Sequence, residues 1–206
     1  MTSTKTSPKS TSSERDKLIG DECWKWWVKI QRTKADGTNN RESDAAGLAK
    51  LRRSDNIVKA ASEPQTQKLY LNLHKAKFGE GLRPELDITK LATTAIVAHI
   101  LAYIRPNTDL LKGAGIYDST ATLLGAGEPK KMSPIRCQNL VNATNPEDVM
   151  REFRAAVAIL GNTAPIGDIA VSIFDWLDTE HADARKIRWL YAYHNQPNSE
   201  PGATAS

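Results

Sequence analysis

Cysteine is scarce in this sequence, and long apolar runs are absent. Only Cys23 and Cys137 occur among 206 residues, far apart and outside any Cys-x-x-Cys spacing. The pattern supports neither a disulfide framework nor a cysteine zinc site, so we expect both thiols to be small core side chains. No apolar run approaches the roughly 18–20 residues that span a bilayer, and the polar N-terminus lacks the apolar core of a secretory signal. These absences predict a cytoplasmic protein with no membrane partner.

Clusters of residues suited to catalysis or metal binding are also lacking. The four histidines are scattered, and His99, which lies in an apolar stretch, has no second ligand four residues away. We expect it to be a core histidine rather than a metal ligand. Asp175, Asp178 and His181 are the best hydrolase candidates, but the two aspartates fit the solvated face of a helix better. The sequence therefore predicts no enzyme activity, no cofactor and no metal site.

Helix start and stop signals recur along the chain, whereas no alternating strand pattern persists. The most distinct helix begins at Asn145, a good N-cap, with Pro146 at the first helical position and acidic residues in the first turn. Its apolar stripe has helical spacing and consists of Val149, Phe153, Ala156 and Leu160. The pattern predicts an all-α protein.

Similar signals predict further helices on both sides of this one. One covers about 13–32, a second ends at Arg52 and Arg53, a third follows Pro64, and a fourth follows a cap at Asp87. Another opens with Ser133 and Pro134, and two more cover about 166–177 and 181–193. The helix after Asp87 is the most apolar, so we expect it to lie at the centre of the N-terminal half of the protein.

Glycine and proline divide these helices into two groups. The segment 106–131 contains prolines and two Gly-Ala-Gly triplets, neither of which continues as a nucleotide-binding loop. We expect a surface linker loop there, joining two small helical bundles over residues 14–105 and 132–194. The segments 1–13 and 195–206 are too polar to fold alone, so they are expected to be disordered tails.

Three tryptophans crowd the first predicted helix, and they have two interpretations. Trp24, Trp26 and Trp27 cannot all face one side of a helix, and Trp27 lies nearest the common apolar face. Packing at the core and at a second interface is the simpler interpretation. The alternative is a platform on which nucleic-acid bases stack.

Basic residues are concentrated at a few positions rather than spread over the chain. The net charge is only +4, which argues against a uniformly basic coat and favours a local patch. One group lies in the C-terminal half and consists of Lys130, Lys131, Arg136, Arg151 and Arg154. Arg52 and Arg53 form a second group at a helix end, where they either complement the helix dipole or clamp a phosphate.

Several short motifs, taken in order, resemble one known family. They are Trp-Trp-x-x-Ile-Gln from Trp26, LAKLRR from Leu48, SPIRCQNLV from Ser133, REFRAAVAILG from Arg151, GDIAVSIFDW from Gly167 and ARKIRWLYAY from Ala184. The set is similar to the CasB family, the small subunit of the type I-E CRISPR surveillance complex Cascade. The similarity covers nearly all of the chain between the predicted tails.

The resemblance implies a non-catalytic, all-helical protein of two bundles, present as two copies in the complex. It implies partners among the other Cascade subunits and the guide RNA, and contact with the target strand and the displaced non-target strand of the R-loop. The nucleic-acid-binding residues that it implies are Arg52, Arg53, Lys130, Lys131, Arg136, Arg151 and Arg154. A helical adaptor that binds only protein, with these arginines on ordinary solvated faces, is the alternative.

Overall fold

The computed structural model describes residues 12–31, 40, 43–78, 87–105 and 119–195. Within these ranges the chain forms ten α-helices and no strand, which confirms the predicted all-α class. In chain order the helices are α1 Ser12–Ile30, α2 Ala45–Arg53, α3 Ile57–Ser62, α4 Pro64–Phe78, α5 Ile88–Tyr103, α6 Thr120–Gly125, α7 Pro134–Asn142, α8 Pro146–Ile159, α9 Ile166–Trp176 and α10 Ala182–His194.

Polar side chains cap the predicted helix starts. Asp87 accepts a hydrogen bond from the Lys90 N–H at the start of α5, and Ser133 accepts one from the Arg136 N–H at the start of α7. The Asn145 side chain accepts from the Asp148 N–H at 2.8 Å, with proline at the next position. Each cap satisfies a backbone donor that the first helical turn leaves without a partner. The sequence therefore predicted these three boundaries correctly.

Two short helices were not predicted, and one of them lies inside the predicted linker. Helix α3 follows α2 after a brief break, and α6 occupies residues 120–125 of the segment expected to be a surface loop. Ala121 and Leu124 of α6 are completely buried, and a Cβ on Gly125 would overlap the Tyr193 carbonyl. A helix of six residues is too short to show a hydrophobic period, and its stability comes from packing. The other Gly-Ala-Gly triplet, 113–115, lies outside the described residues, as do the tail segments 1–11 and 196–206.

Helix α5 lies at the centre of the hydrophobic core. Ten consecutive residues of α5, from Thr93 to Ala102, are buried. The helix packs against α2, α3 and α4 from the N-terminal half and against α8 and α9 from the C-terminal half. A helix that is apolar on every face needs neighbours all around it, which explains this position. The predicted bundles 14–105 and 132–194 thus share one core through α5, and the division of the chain into two bundles stays a prediction.

The tryptophans of α1 are packing residues. Trp26 and Trp27 are buried, and their ring N–H groups donate to the carbonyls of Gln65 and Leu101 at 3.1 and 3.2 Å. Trp24 stacks on Trp27 with ring centroids 5.5 Å apart. Because Trp26 and Trp27 face the core, they present no surface on which a base could stack.

Both cysteines are buried free thiols, as the sequence predicts. Burial raises the pKa of Cys23 and of Cys137, so both remain protonated near neutral pH. They act as small apolar side chains in the core.

The prediction that Asp175 lies on a solvated helix face is wrong. Only 2% of Asp175 is exposed, and its carboxylate binds the guanidinium groups of Arg15 and Arg185. Arg185 Nε donates to the Asp175 carboxylate at 2.7 Å. Arg185 also contacts Asp16 at 3.1 Å, and Arg15 contacts Asp178 at 3.5 Å. The spacing of residues on α9 could not show this, because Arg15 comes from the opposite end of the chain. The cluster joins α1 to α9 and α10.

We expect Asp175→Ala to lower the free energy of unfolding by about 2–4 kcal/mol. Removing one partner of a buried ion cluster leaves charge without compensation, and the partial exposure of the arginines reduces the cost. Urea unfolding of the full chain measures this change. Glu180→Ala, which removes an exposed carboxylate nearby, is the matched control and should change stability by less than about 0.5 kcal/mol. Equal stabilities for the two variants would contradict a structural role for the cluster.

Candidate nucleic-acid interface

Two of the predicted arginines contact the last turn of α5. Arg52, at the end of α2, donates from Nε to the Ala102 carbonyl at 2.6 Å, and its own carbonyl accepts a hydrogen bond from the Tyr103 hydroxyl. Arg154, on α8, lies over the face of the Tyr103 ring with its Cζ 4.7 Å from the ring centroid. Two arginines that are far apart in the chain therefore meet at Tyr103.

Neither of these arginines is neutralised by a carboxylate within the described part of the chain. Both are exposed. The C-terminal end of α5 carries a partial negative charge and the tyrosine ring presents a negative face, so each favours a cation without providing a counterion. The remaining guanidinium N–H groups are available to an external anion.

Arg151 lies on α8 next to Arg154 and has a different environment. Its guanidinium contacts Asp148 at 2.6 Å and Glu152 at 3.1 Å, and these carboxylates raise its pKa. The Asn145 amide, followed by Arg151, holds the pKa of Asp148 below its ordinary value. Arg151 is exposed, so these ion pairs are screened and leave it accessible to other anions.

A shallow groove of about 270 Å³ connects α8 to the start of α3. Its lining is charged and mixed in sign, and it consists of Asp55, Asn56, Ile57, Glu147, Met150, Arg151 and Arg154. The Asp55 carboxylate is paired with Lys59 at 2.7 Å, which reduces its repulsion of an incoming anion. The two arginines on α8 therefore face one groove, at the edge of the Tyr103 contact.

The other predicted basic residues fall into two places. Arg53 follows Arg52 at the same exposed helix end and donates to the Ala49 carbonyl at 3.1 Å. Lys130 is half-buried and donates to the Tyr193 carbonyl at 2.8 Å, with its Nζ 4.5 Å from the centre of the Tyr193 ring. Lys130 therefore helps to hold the end of α10. Lys131 and Arg136 lie near it in the chain and are exposed.

His99 lies beneath this arginine site as a buried core histidine. Its Nδ1 hydrogen-bonds the Leu51 carbonyl at 2.8 Å, and its ring meets Tyr103 edge-on with centroids 5.3 Å apart. Its Nε2 has no hydrogen-bond partner among the described residues. Burial lowers the pKa of His99, and the positive charge of Arg154 lowers it further. His99 is therefore neutral at pH 7.

A comparison with protein families matches residues 47–194 to the family described as CRISPR-associated protein Cse2. The match covers well over half of the chain. The protein belongs to this family. Cse2 is the CasB small subunit of type I-E Cascade, so the resemblance noted in the sequence is confirmed. Comparisons with curated proteins and with solved structures found no match.

Membership of the Cse2 family makes this chain a subunit of a CRISPR Cascade complex that associates with other Cascade subunits. The family is structural and generally non-catalytic. In this Cse2 chain, none of the described helices is both long and apolar enough to cross a membrane. The matched region contains α3 to α10 and begins within α2, so α1 lies outside it.

The predicted residues and the observed site overlap in part. The sequence named Arg52 and Arg154 but had no basis for placing them together, and it did not identify Tyr103. Tyr103 lies four residues after His99 on α5, so the helical spacing indicated that these two rings share a face. The contact with α8 depends on packing between the halves of the chain, which no local pattern reveals.

The burial of His99 predicts a stability loss in mild acid. Its pKa is lowered below the ordinary value of 6.5 by folding, so the unfolded chain binds the proton first. Its contribution is complete above pH 6.5 and is lost as the pH falls from 6.5 towards the lowered pKa. Carboxyl groups with a lowered pKa, such as Asp44, change the stability as the pH falls below their ordinary pKa of 3.8, which lies outside the pH range of the His99 effect.

Urea unfolding between pH 7.5 and about 5 tests this expectation. The wild-type chain should lose stability over this range, and His99→Gln, which cannot take up the proton, should lose less. His194→Gln, which changes an exposed histidine, should keep the wild-type dependence. Identical pH profiles for all three proteins would show that His99 does not cause the loss.

Proposed function

We propose that this Cse2 chain is a non-catalytic subunit of Cascade that binds the target strand and the displaced non-target strand of the R-loop. Binding is independent of base sequence and stabilises the R-loop in antiviral defence. Family membership supports the Cascade setting. The DNA contact is inferred from the arginines of the described surface.

One observation carries the proposal. Arg52 and Arg154 are exposed, have no carboxylate partner among the described residues, and are fixed against the same turn of α5. Arginines with such free N–H groups suit the oxygens of a phosphate, which accept two parallel hydrogen bonds. Contacts of this kind grip the sugar–phosphate backbone and do not distinguish one base from another.

The energetics of R-loop formation make a few phosphate contacts sufficient. The RNA–DNA hybrid is about as stable as the DNA duplex that it replaces, so small additional contacts decide whether the open state persists. A solvent-exposed arginine contributes roughly 0.5–1 kcal/mol, and every 1.4 kcal/mol changes an equilibrium about tenfold. Two arginines at one site can therefore change R-loop stability measurably.

The ion cluster around Asp175 supports a non-catalytic role for this chain. Asp175, Asp178 and His181 were the best hydrolase candidates in the sequence. Asp175 is buried and bonded to two guanidinium groups, so its oxygens are not available to activate water. Asp178 is shared between Arg15 and His181. This arrangement suits a structural ion cluster and not a reaction centre.

Protein partners are the second part of the proposal. Three large apolar side chains in the C-terminal half are mostly exposed, namely Ile135 at 76%, Ile187 at 67% and Tyr191 at 70%. Exposed apolar groups favour contact with protein. They support contacts with other Cascade subunits around the guide RNA or with a second Cse2 copy. They also support the alternative of a protein–protein adaptor without nucleic-acid contact.

The decisive experiment removes the unpaired arginines from the assembled complex. We expect Arg52→Ala with Arg154→Ala to shorten the R-loop lifetime by about 5- to 30-fold at physiological salt, because neither position can then bind a phosphate. Replacing Arg151 alone should have a smaller effect, because its local carboxylates already compete with phosphate. Electrophoretic mobility of the complex on a matched target duplex measures the lifetime.

The control for this experiment removes the same charge elsewhere. Lys75 and Arg188 are exposed on α4 and α10, and changing both to alanine should leave the R-loop lifetime near the wild-type value. Both double variants must assemble into the complex to the same extent. An unchanged lifetime for the Arg52 and Arg154 variant in intact complexes would reject the proposed DNA contact and favour the adaptor.

A further inference from the structure

Tyr103 contacts both arginines of the proposed interface, and it does so through different parts of its side chain. Its hydroxyl donates to the Arg52 carbonyl, while the face of its ring supports the Arg154 guanidinium at 4.7 Å. The ring of His99 meets it edge-on, and His99 is itself bonded to the Leu51 carbonyl. His99 therefore supports the Tyr103 ring from the core, while Arg52 and Arg154 contact Tyr103 at the surface.

Tyr103 gives Arg154 a contact that does not neutralise its charge. A long side chain loses rotamer entropy when it is fixed, so an ordered guanidinium needs a favourable contact. A neighbouring carboxylate would supply one, but it would then compete with phosphate for the same N–H groups, as Asp148 and Glu152 do at Arg151. The quadrupole of an aromatic ring attracts the cation without that competition.

The contact with the ring also leaves the hydrogen-bond donors of the guanidinium unused. Arginine has five N–H donors in one plane, and those of Arg154 have no hydrogen-bond acceptor within the described part of the chain. Arg154 can therefore remain on Tyr103 while it donates two parallel hydrogen bonds to a phosphate. Arg52 keeps donors in the same way, because only its Nε is used by the Ala102 carbonyl.

We propose that Tyr103 is a positioning residue that orients the Arg154 guanidinium for phosphate binding before nucleic acid arrives. Orienting this cation in advance avoids the ordering cost that binding would otherwise include. This inference rests on the proposed function, since it assigns the residue that prepares the same site. Tyr103 itself contacts no phosphate.

The test measures binding of the full chain to fluorescein-labelled oligothymidylate by anisotropy over a series of salt concentrations. Tyr103→Leu should weaken binding about 3- to 10-fold and reduce the salt dependence. On a single strand, the log–log slope should fall by about 0.7 for each phosphate that the variant no longer binds. Tyr103→Phe, which keeps the ring under Arg154, should retain most of the affinity and the slope.

A double-mutant cycle separates positioning from a general structural role. In an Arg154→Ala background, Tyr103→Leu should have little additional effect, because the cation that it orients is already gone. Leu71→Ala changes an exposed apolar residue on α4 and should bind like the wild type. Thermal unfolding verifies that each variant folds. If Tyr103→Leu does not fold, Tyr103→Met replaces it with the same expected results.

Two kinds of outcome would overturn the inference, and they are distinguishable. If Arg52→Ala and Arg154→Ala weaken binding but Tyr103→Leu does not, or if the losses from Tyr103→Leu and Arg154→Ala simply add, then Tyr103 does not position Arg154 and the proposed function stands. If neither arginine variant changes affinity or salt slope, the DNA contact is rejected and the role of Tyr103 is rejected with it.

Discussion

The packing of α5 on every side determines the arrangement of the other helices. Its stretch from Thr93 to Ala102 is buried on every face, so it requires neighbours from both halves of the chain. Helices α2 to α4 supply one set and α8 and α9 the other. The last turn of α5 then contacts both halves of the chain, because Arg52 of α2 bonds Ala102 and Arg154 of α8 lies over the Tyr103 ring.

Arginine serves two different purposes in this fold. Arg15 and Arg185 converge on the buried carboxylate of Asp175, where charge is balanced within the protein and ties α1 to α9 and α10. Arg52 and Arg154 converge on a tyrosine and a helix end, which attract cations but do not neutralise them. Only the second arrangement leaves positive charge available to a ligand. The partners of an arginine therefore say more about its role than the number of arginines does.

Local patterns predicted most of the helices because capping and periodicity are local properties. Asp87, Ser133 and Asn145 each supply an acceptor at the position where a helix needs one, and the residues that follow have helical spacing. The same reasoning missed α6, since six residues do not show a period and the helix depends on burial of Leu124. It also misplaced Asp175, because Arg15, one of the two arginines that pair with it, is supplied by α1.

The sequence by itself determined the all-α class, the main helix boundaries, the core roles of Trp27 and the two cysteines, and the resemblance to the Cascade small subunit. All of these follow from side chains within a few turns of one another or from the order of motifs. Only the tertiary structure decided which basic residues meet, because Arg52 and Arg154 are brought to Tyr103 by packing around α5. Long-range contacts of this kind depend on how whole helix faces fit together, and no short stretch of sequence contains that information.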